Sequence, residues 1–333
     1  MSSLYAPLED DLLYMFVFGP GFGETVLIRI PPNTWIVVDS FRSRDIAAAN
    51  LVLDHFLARA SLVVLTHPHK DHVLGFIDLL ENSTDALIGA LLPNDDGVLN
   101  KPNDGIASLF GNEAIRTFER IHREWQNNSA RKWPTSRGAE YQIPNGKIIS
   151  LHPAIPTSIA QWQRSSLNDL SSAMLVEWYD ARIVLGADVT DENASWDEIT
   201  EVYRNLAAHS TLKVPHHGSE KAINDKYAAG DPKRCWIVTP YNLGRKLPRF
   251  EPGQGVDLAL NFVDEVNLTA LPIRHDFEAS APFVTTRGVI DAGLPVGGED
   301  DFDPMERGIA IGFNADGSIA KRRYGKGTLR ITQ

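Results

Sequence analysis

The chain has 333 residues, which is enough to bury a large core in one domain or in two. Its net charge of -11 argues against a protein that coats nucleic acid non-specifically, although a nuclease stays open because bound divalent cations would supply local positive charge. Cys235 is the only cysteine, which excludes a disulfide framework and a cluster of thiolate metal ligands.

The sequence carries no sign of a membrane or secretory segment. None of its apolar runs approaches the length of about 18 residues that a membrane span needs. Residues 1–11 are acidic and lack the basic start of a signal peptide. These patterns predict a cytoplasmic protein without membrane contacts.

Alternating and β-branched residues predict three strands near the start of the chain, at 12–18, 25–30 and 35–38. A helix is predicted at 45–59, where alanine, leucine, valine and phenylalanine recur on one face. The next apolar run, 61–66, predicts a buried strand.

The same criteria predict further elements along the rest of the chain. Strands are predicted at 86–92, 147–152, 173–179, 182–187, 211–215 and 235–239, helices at 105–130, 194–208 and 256–265, and a final hairpin around 314–317. We interpret 94–145 as an elaboration of a single domain spanning 1–333, and the chain after about 250 as its C-terminal extension. The element order predicts a layered sandwich in which two mixed sheets pack together and helices cover the outside.

The most informative motif follows the strand at 61–66 and reads His67-Pro-His-Lys-Asp-His72. Imidazole and carboxylate groups suit zinc and similar divalent ions. His67 and His69 can converge on one ion, while Asp71 and His72, displaced around the turn, can serve a second. So many ligands beside a buried strand predict a metal site rather than solvated loop histidines.

Further candidate ligands stand at the ends of other predicted strands. Asp188 ends an apolar strand, where a carboxylate is costly unless it is paired or bound to metal; the alternative is a helix N-cap for the segment that begins at Thr190. His152 ends another strand. His216 and His217 follow a third, and spacing leaves open which of them faces a metal and which a substrate; we predict His216 as the ligand.

The glycine-rich loop at 19–23 joins two predicted strands rather than opening a helix. It therefore does not predict a dinucleotide site. Two interpretations stay open, a tight loop near the rim of the metal site and a plain hairpin turn.

Several stretches match, in order, the motifs of one superfamily. They are the hexapeptide and residues 17–25, 35–39, 168–176, 184–188 and 212–219. Over about residues 12–240 the chain resembles the metallo-β-lactamase superfamily and, within it, the hydrolase domain of the ComEC/Rec2 competence proteins. Three departures stand out: the membrane helices of competence proteins are missing, His69 stands where that branch often has a carboxylate, and the stretch 241–248 lacks the histidine of its later motif.

The resemblance implies an αββα sandwich and hydrolysis by water that two divalent ions activate, with zinc as the expected metal and manganese as the alternative. It implies one ion held by His67, His69 and His152, a second held by Asp71, His72 and His216, and Asp188 as the bridge between them. We assign catalytic roles to Asp71 and His217, and contacts with an anionic substrate to Lys213, Ser219 and Asn242.

Three functional hypotheses follow. The first is a phosphodiesterase or nuclease that acts on nucleic acid or a nucleotide-like ester. The second is a hydrolase of a non-phosphate bond, such as a lactone, thioester or lactam. The third is a regulatory or scaffold subunit with protein partners in a larger bacterial complex, for example an antiviral defence system. An intact ligand set favours the enzymes, because a scaffold has no need of it.

Overall fold

The computed structural model describes residues 3–43, 45–92, 111–153, 167–191, 195–228, 230–231, 233–242, 246–270, 289–291 and 306–332. Its strands are β1 (Leu13–Phe18), β2 (Thr25–Ile30), β3 (Thr34–Val38), β4 (Arg42–Ser43), β5 (Ile46–Ala47), β6 (Ala60–Leu65), β7 (Leu87–Ala90), β8 (Lys132–Pro134), β9 (Glu140–Ile143), β10 (Gly146–Ser150), β11 (Met174–Trp178), β12 (Ala181–Leu185), β13 (Thr211–Lys213), β14 (Cys235–Val238), β15 (Glu265–Leu268), β16 (Val289–Asp291), β17 (Gly308–Phe313), β18 (Ile319–Tyr324) and β19 (Leu329–Thr332).

Helices stand between successive strands from β5 to β8 and again from β12 to β15. The α-helices are α1 (Ala48–His55), α2 (Lys70–Val73), α3 (Phe76–Asn82), α4 (Asn112–Asn127), α5 (Ser195–Val202), α6 (Asp225–Ala228) and α7 (Gly255–Leu260). Short 3-10 helices span Ser3–Tyr5, Ser129–Arg131, Asn168–Leu170, Leu206–Ala208, His216–Gly218 and Glu220–Ala222. Within the part of the chain that the structure describes, no helix has both the length and the apolar character needed to cross a membrane.

Two large sheets form the inner layers. The first has eight strands in the order β18-β17-β1-β2-β3-β6-β7-β8, and the second has nine in the order β16-β19-β15-β14-β13-β12-β11-β10-β9. Both are mixed: β1, β2 and β3 pair antiparallel before β6 joins β3 in parallel, and β10, β11 and β12 pair antiparallel before the parallel run β12 to β15. A separate two-stranded ribbon joins β4 and β5.

Strand β1 shows how the layers stack. Its side chains point alternately to the two faces of the sheet, as the strand period of two requires. Leu13, Met15 and Val17 pack into the core between the sheets. Tyr14 and Phe16 pack into the core beneath the helices. Because both faces are covered, β1 is a continuous apolar run rather than an alternating one.

Helices cover the outer face of each sheet. Helices α1 to α4 contribute Val52, Phe76 and Phe118 to the core on the outside of the first sheet. Helices α5 to α7 contribute Trp196 and Tyr227, among others, to the corresponding core on the second. The layer order is therefore helix, sheet, sheet, helix, and the predicted αββα sandwich is confirmed.

Two regions that the sequence analysis set apart within the single predicted domain contribute strands to the two sheets. The stretch 94–145, interpreted as an elaboration, supplies β8 to the first sheet and β9 to the second, while 93–110 lie outside the described residues. The chain after 250, interpreted as an extension, supplies β15 to β19 to the same two sheets. The division of the chain into one domain with an elaboration and an extension stays a prediction.

Candidate metal centre

Five of the seven predicted ligands gather at one edge of the sandwich, beyond the carboxyl ends of parallel strands, and His217 joins them there. The hexapeptide follows β6, and Asp188 and His217 follow β12 and β13. After β6 the chain turns at once into α2, which begins at Lys70. The turn brings Asp71 and His72 back toward His67, and all three side chains are buried.

The first group of ligand atoms consists of His67, His69 and Asp188. His67 Nε2 lies 2.8 Å from His69 Nδ1 and 3.5 Å from Asp188 Oδ2. His69 Nδ1 lies 3.9 Å from the same carboxylate oxygen. His69 is half-exposed and closes the group on the solvent side.

The second group consists of Asp71, His72, His217 and, again, Asp188. Asp71 Oδ2 lies 3.1 Å from His217 Nε2 and 3.4 Å from His72 Nε2. The two carboxylate oxygens of Asp188 each lie 3.8 Å from one of these ring nitrogens. Asp188 therefore stands between the two groups, which is where the resemblance predicts a bridging ligand.

Hydrogen bonds fix which nitrogen of each buried ring faces the centre. His72 Nδ1 donates to Asp39 Oδ2 at 2.7 Å, and His217 Nδ1 donates to the carbonyl of Thr239 at 3.0 Å. Thr66 Oγ1 donates to Asp39 at 2.6 Å and so accepts from His67 Nδ1 at 3.1 Å. In each of these rings Nε2 therefore faces the centre, as in metal-binding histidines whose outer nitrogen is hydrogen-bonded.

Asp39 orients this part of the site although it lies outside both groups. It follows β3, and its oxygens accept three hydrogen bonds, from His72 and from the amide and hydroxyl of Thr66. Carboxylates that hold the outer nitrogen of a ligand histidine fix the ring's tautomer and orientation. Asp39 provides this support for His72.

The buried carboxylates and imidazoles of the cluster shift one another's pKa values. Burial raises the pKa of Asp188, but His217 and His67 outweigh it and hold that pKa well below the usual carboxyl range. Burial lowers the pKa of His67 to about 3, so this ring is a neutral imidazole. Burial also lowers the pKa of His72, but Asp71 and Asp39 raise it well above its ordinary value. A bound cation would replace the proton on His72.

The residues present fit divalent ions. His72 Nε2 and Asp188 Oδ1 are buried and have no hydrogen-bond partner among the described residues. Ligand atoms around a tetrahedral zinc, at about 2.0–2.1 Å from the ion, lie about 3.3–3.4 Å apart. Separations in the cluster run from 2.8 to 3.9 Å and bracket that value.

Two predicted ligands lie apart from these groups. His152 is buried, but its Nδ1 donates to the carbonyl of Ser171 at 2.8 Å, and neither group of described ligand atoms contains it. His216 Nδ1 lies 2.9 Å from Ser219 Oγ, and its Nε2 lies 3.2 Å from Asn168 Nδ2. The structure therefore brings His217, rather than His216, to the carboxylates of the centre.

The predicted substrate contacts also separate. Lys213 is 1% exposed and its ammonium contacts Glu24. It therefore does not reach the pocket that opens over the ligand groups, which is described below. Asn242 donates its backbone N–H to the carbonyl of Gly21. The described residues that line the pocket over the centre do not include it. Ser219 does line it, beside His216.

The sequence reasoning missed Glu24 and Asp39 as parts of the site. Asp39 carried a usable signal, because it ends a predicted buried strand just as Asp188 does. Glu24 stands in the loop before β2 and gave no such signal, since its partners lie far along the chain.

A pocket of about 540 Å³ opens over the centre. Its floor includes Asp71, Asp188 and His217, and its rim includes the basic side chains of Lys70 and Arg249. Further lining residues are His69, Asn168, Thr190, His216, Ser219, Glu220, Lys221, Tyr241 and Leu247. The ring of Tyr241 stacks on His217, with ring centres 5.0 Å apart, and so packs this ligand from the pocket side.

The chain has distant similarity to several solved structures. No family model matches the chain, and no curated protein matches it. Similar solved structures include a mutant metallo-β-lactamase with the HARLDQ motif from Cronobacter sakazakii, at 13% identity over 60% of this chain and 75% of that one, with a TM-score of 0.35.

Two other solved structures are of the same order of similarity. A diphosphatase from the PhnP family has 12% identity over 61% of this chain and 73% of that one, with a TM-score of 0.32. The metallo-β-lactamase fold protein YhfI from Bacillus subtilis has 13% identity over 61% of this chain and 70% of that one, with a TM-score of 0.33. The likeness to the ComEC/Rec2 branch stays a prediction. By its own order of layers, two mixed sheets between helices, the chain is an αββα sandwich.

Proposed function

We propose that the protein is a metal-dependent phosphodiesterase that uses two divalent ions, zinc or manganese, and acts on nucleic acid or a nucleotide-like ester. The observation that carries the proposal is the position of Asp188, whose carboxylate faces both groups of ligand atoms. A single buried carboxylate between two histidine groups suits a pair of ions that share one ligand.

The residues divide between the two ions by their contacts. His67, His69 and Asp188 would hold one, and Asp71, His72 and His217 would hold the other together with Asp188. Two cations held by these residues would lower the pKa of water to near neutrality and stabilise negative charge on the attacked group.

The rim of the pocket favours a phosphodiester over a neutral lactone or lactam. Lys70, Lys221 and Arg249 line it, while the chain as a whole has a net charge of -11. Basic side chains around a pocket attract anionic substrates and raise their local concentration. Glu220 is the acidic residue of the rim and offsets only part of this charge.

The experiment compares substrate classes on one metal-loaded preparation. Metal-free protein is loaded with zinc or with manganese and assayed on bis(p-nitrophenyl) phosphate, single-stranded DNA, RNA and cyclic dinucleotides, beside a panel of lactones, thioesters and lactams. We expect phosphodiester hydrolysis that chelation abolishes and metal restores.

Asp188→Asn tests whether the centre carries the activity. We expect this variant to lose at least about 100-fold in kcat/KM, because it removes the shared ligand. Asp85→Asn, at an exposed carboxylate before β7, is the matched control and should keep full activity. Hydrolysis of the lactone or lactam panel with intact phosphodiesters would replace the proposal by the second hypothesis, and no turnover of either panel would favour a scaffold.

A further inference from the structure

Glu24 is a buried carboxylate close to the candidate metal centre, where it could act as a metal ligand or as a support for the ligands. It is 2% exposed and lies in the loop between β1 and β2. Its oxygens lie 3.7 Å from His72 Nδ1 and 3.8 Å from His217 Nδ1. A ligand atom of Glu24 lies within 4.8 Å of ligand atoms of His72, Asp188 and His217, so proximity alone would make it a metal ligand.

The oxygens of Glu24 are already engaged by other groups. The ammonium of Lys213 lies 2.7 Å from Oε1 and 2.5 Å from Oε2. The hydroxyl of Thr239 donates to Oε2 at 2.7 Å. A carboxylate that is neutralised by a buried ammonium and hydrogen-bonded on the same side is a poor ligand for a further cation.

Glu24 also lies on the outer side of both imidazoles. It is close to their Nδ1 atoms, whereas Asp71 contacts both rings at Nε2. The outer nitrogens already have acceptors, Asp39 for His72 and the Thr239 carbonyl for His217. Glu24 therefore stands behind the two rings and not between them.

The Glu24–Lys213 pair joins the two sheets at this point. Glu24 belongs to the β1–β2 loop of the first sheet, and Lys213 ends β13 in the second. The same ammonium lies 3.5 Å from the carbonyl of Ala187, the residue before Asp188. Through Thr239 the pair also fixes the residue whose carbonyl holds His217.

We propose that the buried Glu24–Lys213 pair, with Thr239, is a positioning device that sets the spacing of His72, Asp188 and His217, and that Glu24 itself is not a metal ligand. The inference deepens the proposed function, because it rests on metal binding at that site. It assigns Lys213 a place behind the centre instead of a contact with substrate.

The test separates a ligand from a positioning residue by counting ions. In Glu24→Gln/Lys213→Met both partners lose their charge together, which avoids leaving one buried charge alone. We expect two ions per chain by elemental analysis, with metal affinity lowered about 10- to 100-fold in a chelator competition and a shifted absorption spectrum of the Co²⁺-loaded protein. Asp188→Asn provides the spectrum and stoichiometry of a centre that has lost a ligand.

A matched control is the buried carboxylate of Glu265 in the second sheet, which pairs with Arg322 of the first sheet and Arg330 of the second. Glu265→Gln should lower stability and leave metal affinity and the Co²⁺ spectrum unchanged. Loss of one ion equivalent in Glu24→Gln/Lys213→Met would make Glu24 a ligand and overturn the proposal. Unchanged affinity and spectrum would also overturn it, because the pair would then be merely structural.

If the double variant does not fold, Thr239→Val keeps the side-chain volume and removes only the hydroxyl that donates to Glu24. We expect this variant to keep two ions and to lose less metal affinity than the double variant. Loss of an ion would indicate that Glu24 is a ligand, and unchanged affinity would indicate a merely structural pair; either result would contradict the proposal. The readout is independent of turnover. A wild-type protein that binds two ions but cleaves no phosphodiester would refute the proposed function and leave this inference standing.

Discussion

The rings of His216 and His217 are adjacent in the chain but face different partners. Both residues have positive φ, 44° and 54°, in a short helix that departs from regular geometry. Successive residues in the left-handed region turn the chain sharply. His217 consequently points at Asp71, while His216 lies against Ser219 and Asn168.

This arrangement predicts unequal effects of removing the two rings. His217→Ala should lower metal content by one ion per chain and kcat/KM by at least about 100-fold, because it removes a ligand. His216→Ala should retain both ions and lose less activity. Elemental analysis and steady-state kinetics on the two variants check this, and the reverse order would support the assignment of His216 as the ligand.

His209 is a second kind of buried histidine, with a structural role away from the centre. Its Nδ1 donates to the carbonyl of Leu206 at 2.8 Å, and its Nε2 accepts from the indole of Trp236 at 3.0 Å. Both nitrogens are satisfied only in the neutral ring. Burial, aided by the charge of Arg234, lowers the pKa of His209 to about 3.

His209 therefore predicts a pH dependence of stability. Between the unfolded value of 6.5 and the folded value of about 3, the unfolded chain binds the extra proton, so stability falls as pH falls. The contribution approaches about 1.4 kcal/mol per pH unit within that window. Urea unfolding of metal-free protein should show a shallower pH dependence for His209→Gln than for the wild type, and parallel curves would rule the effect out.

At the scale of elements, helix α2 holds two ligands and is packed closely against the chain after β3. Gly75 separates α2 from α3, and its N–H donates to the carbonyl of Ser40 at 2.7 Å. A Cβ at this position would lie 2.6 Å from the carbonyl oxygen of Phe41. The backbone on both sides is hydrogen-bonded, which leaves little freedom to relieve the contact.

Gly75→Ala is therefore expected to lower the free energy of unfolding by about 1–3 kcal/mol. Metal affinity should fall as well, because the clash displaces the helix that holds Asp71 and His72. Gly111→Ala is the control, since a Cβ there meets no atom within 4 Å, and it should cost less than about 1 kcal/mol. Urea unfolding and chelator competition measure the two effects, and equal losses in both variants would contradict the packing argument.

The sequence predicted elements and strand ends well because these depend on local patterns. Most core strands and the hexapeptide follow from alternation and from ligands placed after apolar runs. The direction in which a side chain points beyond the end of a strand does not follow from such patterns, as His152 and His217 show. Their orientation depends on turns and on hydrogen bonds to residues elsewhere in the chain. The Glu24–Lys213 pair joins positions 189 residues apart, and local periodicity carries no information about such a contact.

At the scale of the whole molecule, the ligand groups connect the two sheets. Asp71 and His72 follow a strand of the first sheet, whereas Asp188 and His217 follow strands of the second. Ions bound between them would hold the sheets together at this edge. Because the unfolded chain does not present these ligands together, metal binding should stabilise the folded state.

Chelation should accordingly lower the melting temperature. At a free metal concentration 100 times Kd, each site stabilises the fold by about 2.7 kcal/mol. We expect a fall of several degrees with chelator, restored by zinc or manganese, in differential scanning calorimetry. The melting temperature of Asp188→Asn should change much less on adding chelator. A wild-type melting temperature that does not depend on metal would argue against metal binding between the two sheets.

The segment 306–332 has a consequence for the order of folding during synthesis. It places β17 beside β1 in the first sheet and β19 beside β15 in the second. On the ribosome, β1 is made long before β17, so it stays at an open edge of the first sheet until residues 308–313 have been translated. Exposed apolar edges are prone to pair with other chains. The nascent protein should therefore depend on chaperones until residues 308–313 have emerged from the ribosome and paired with β1.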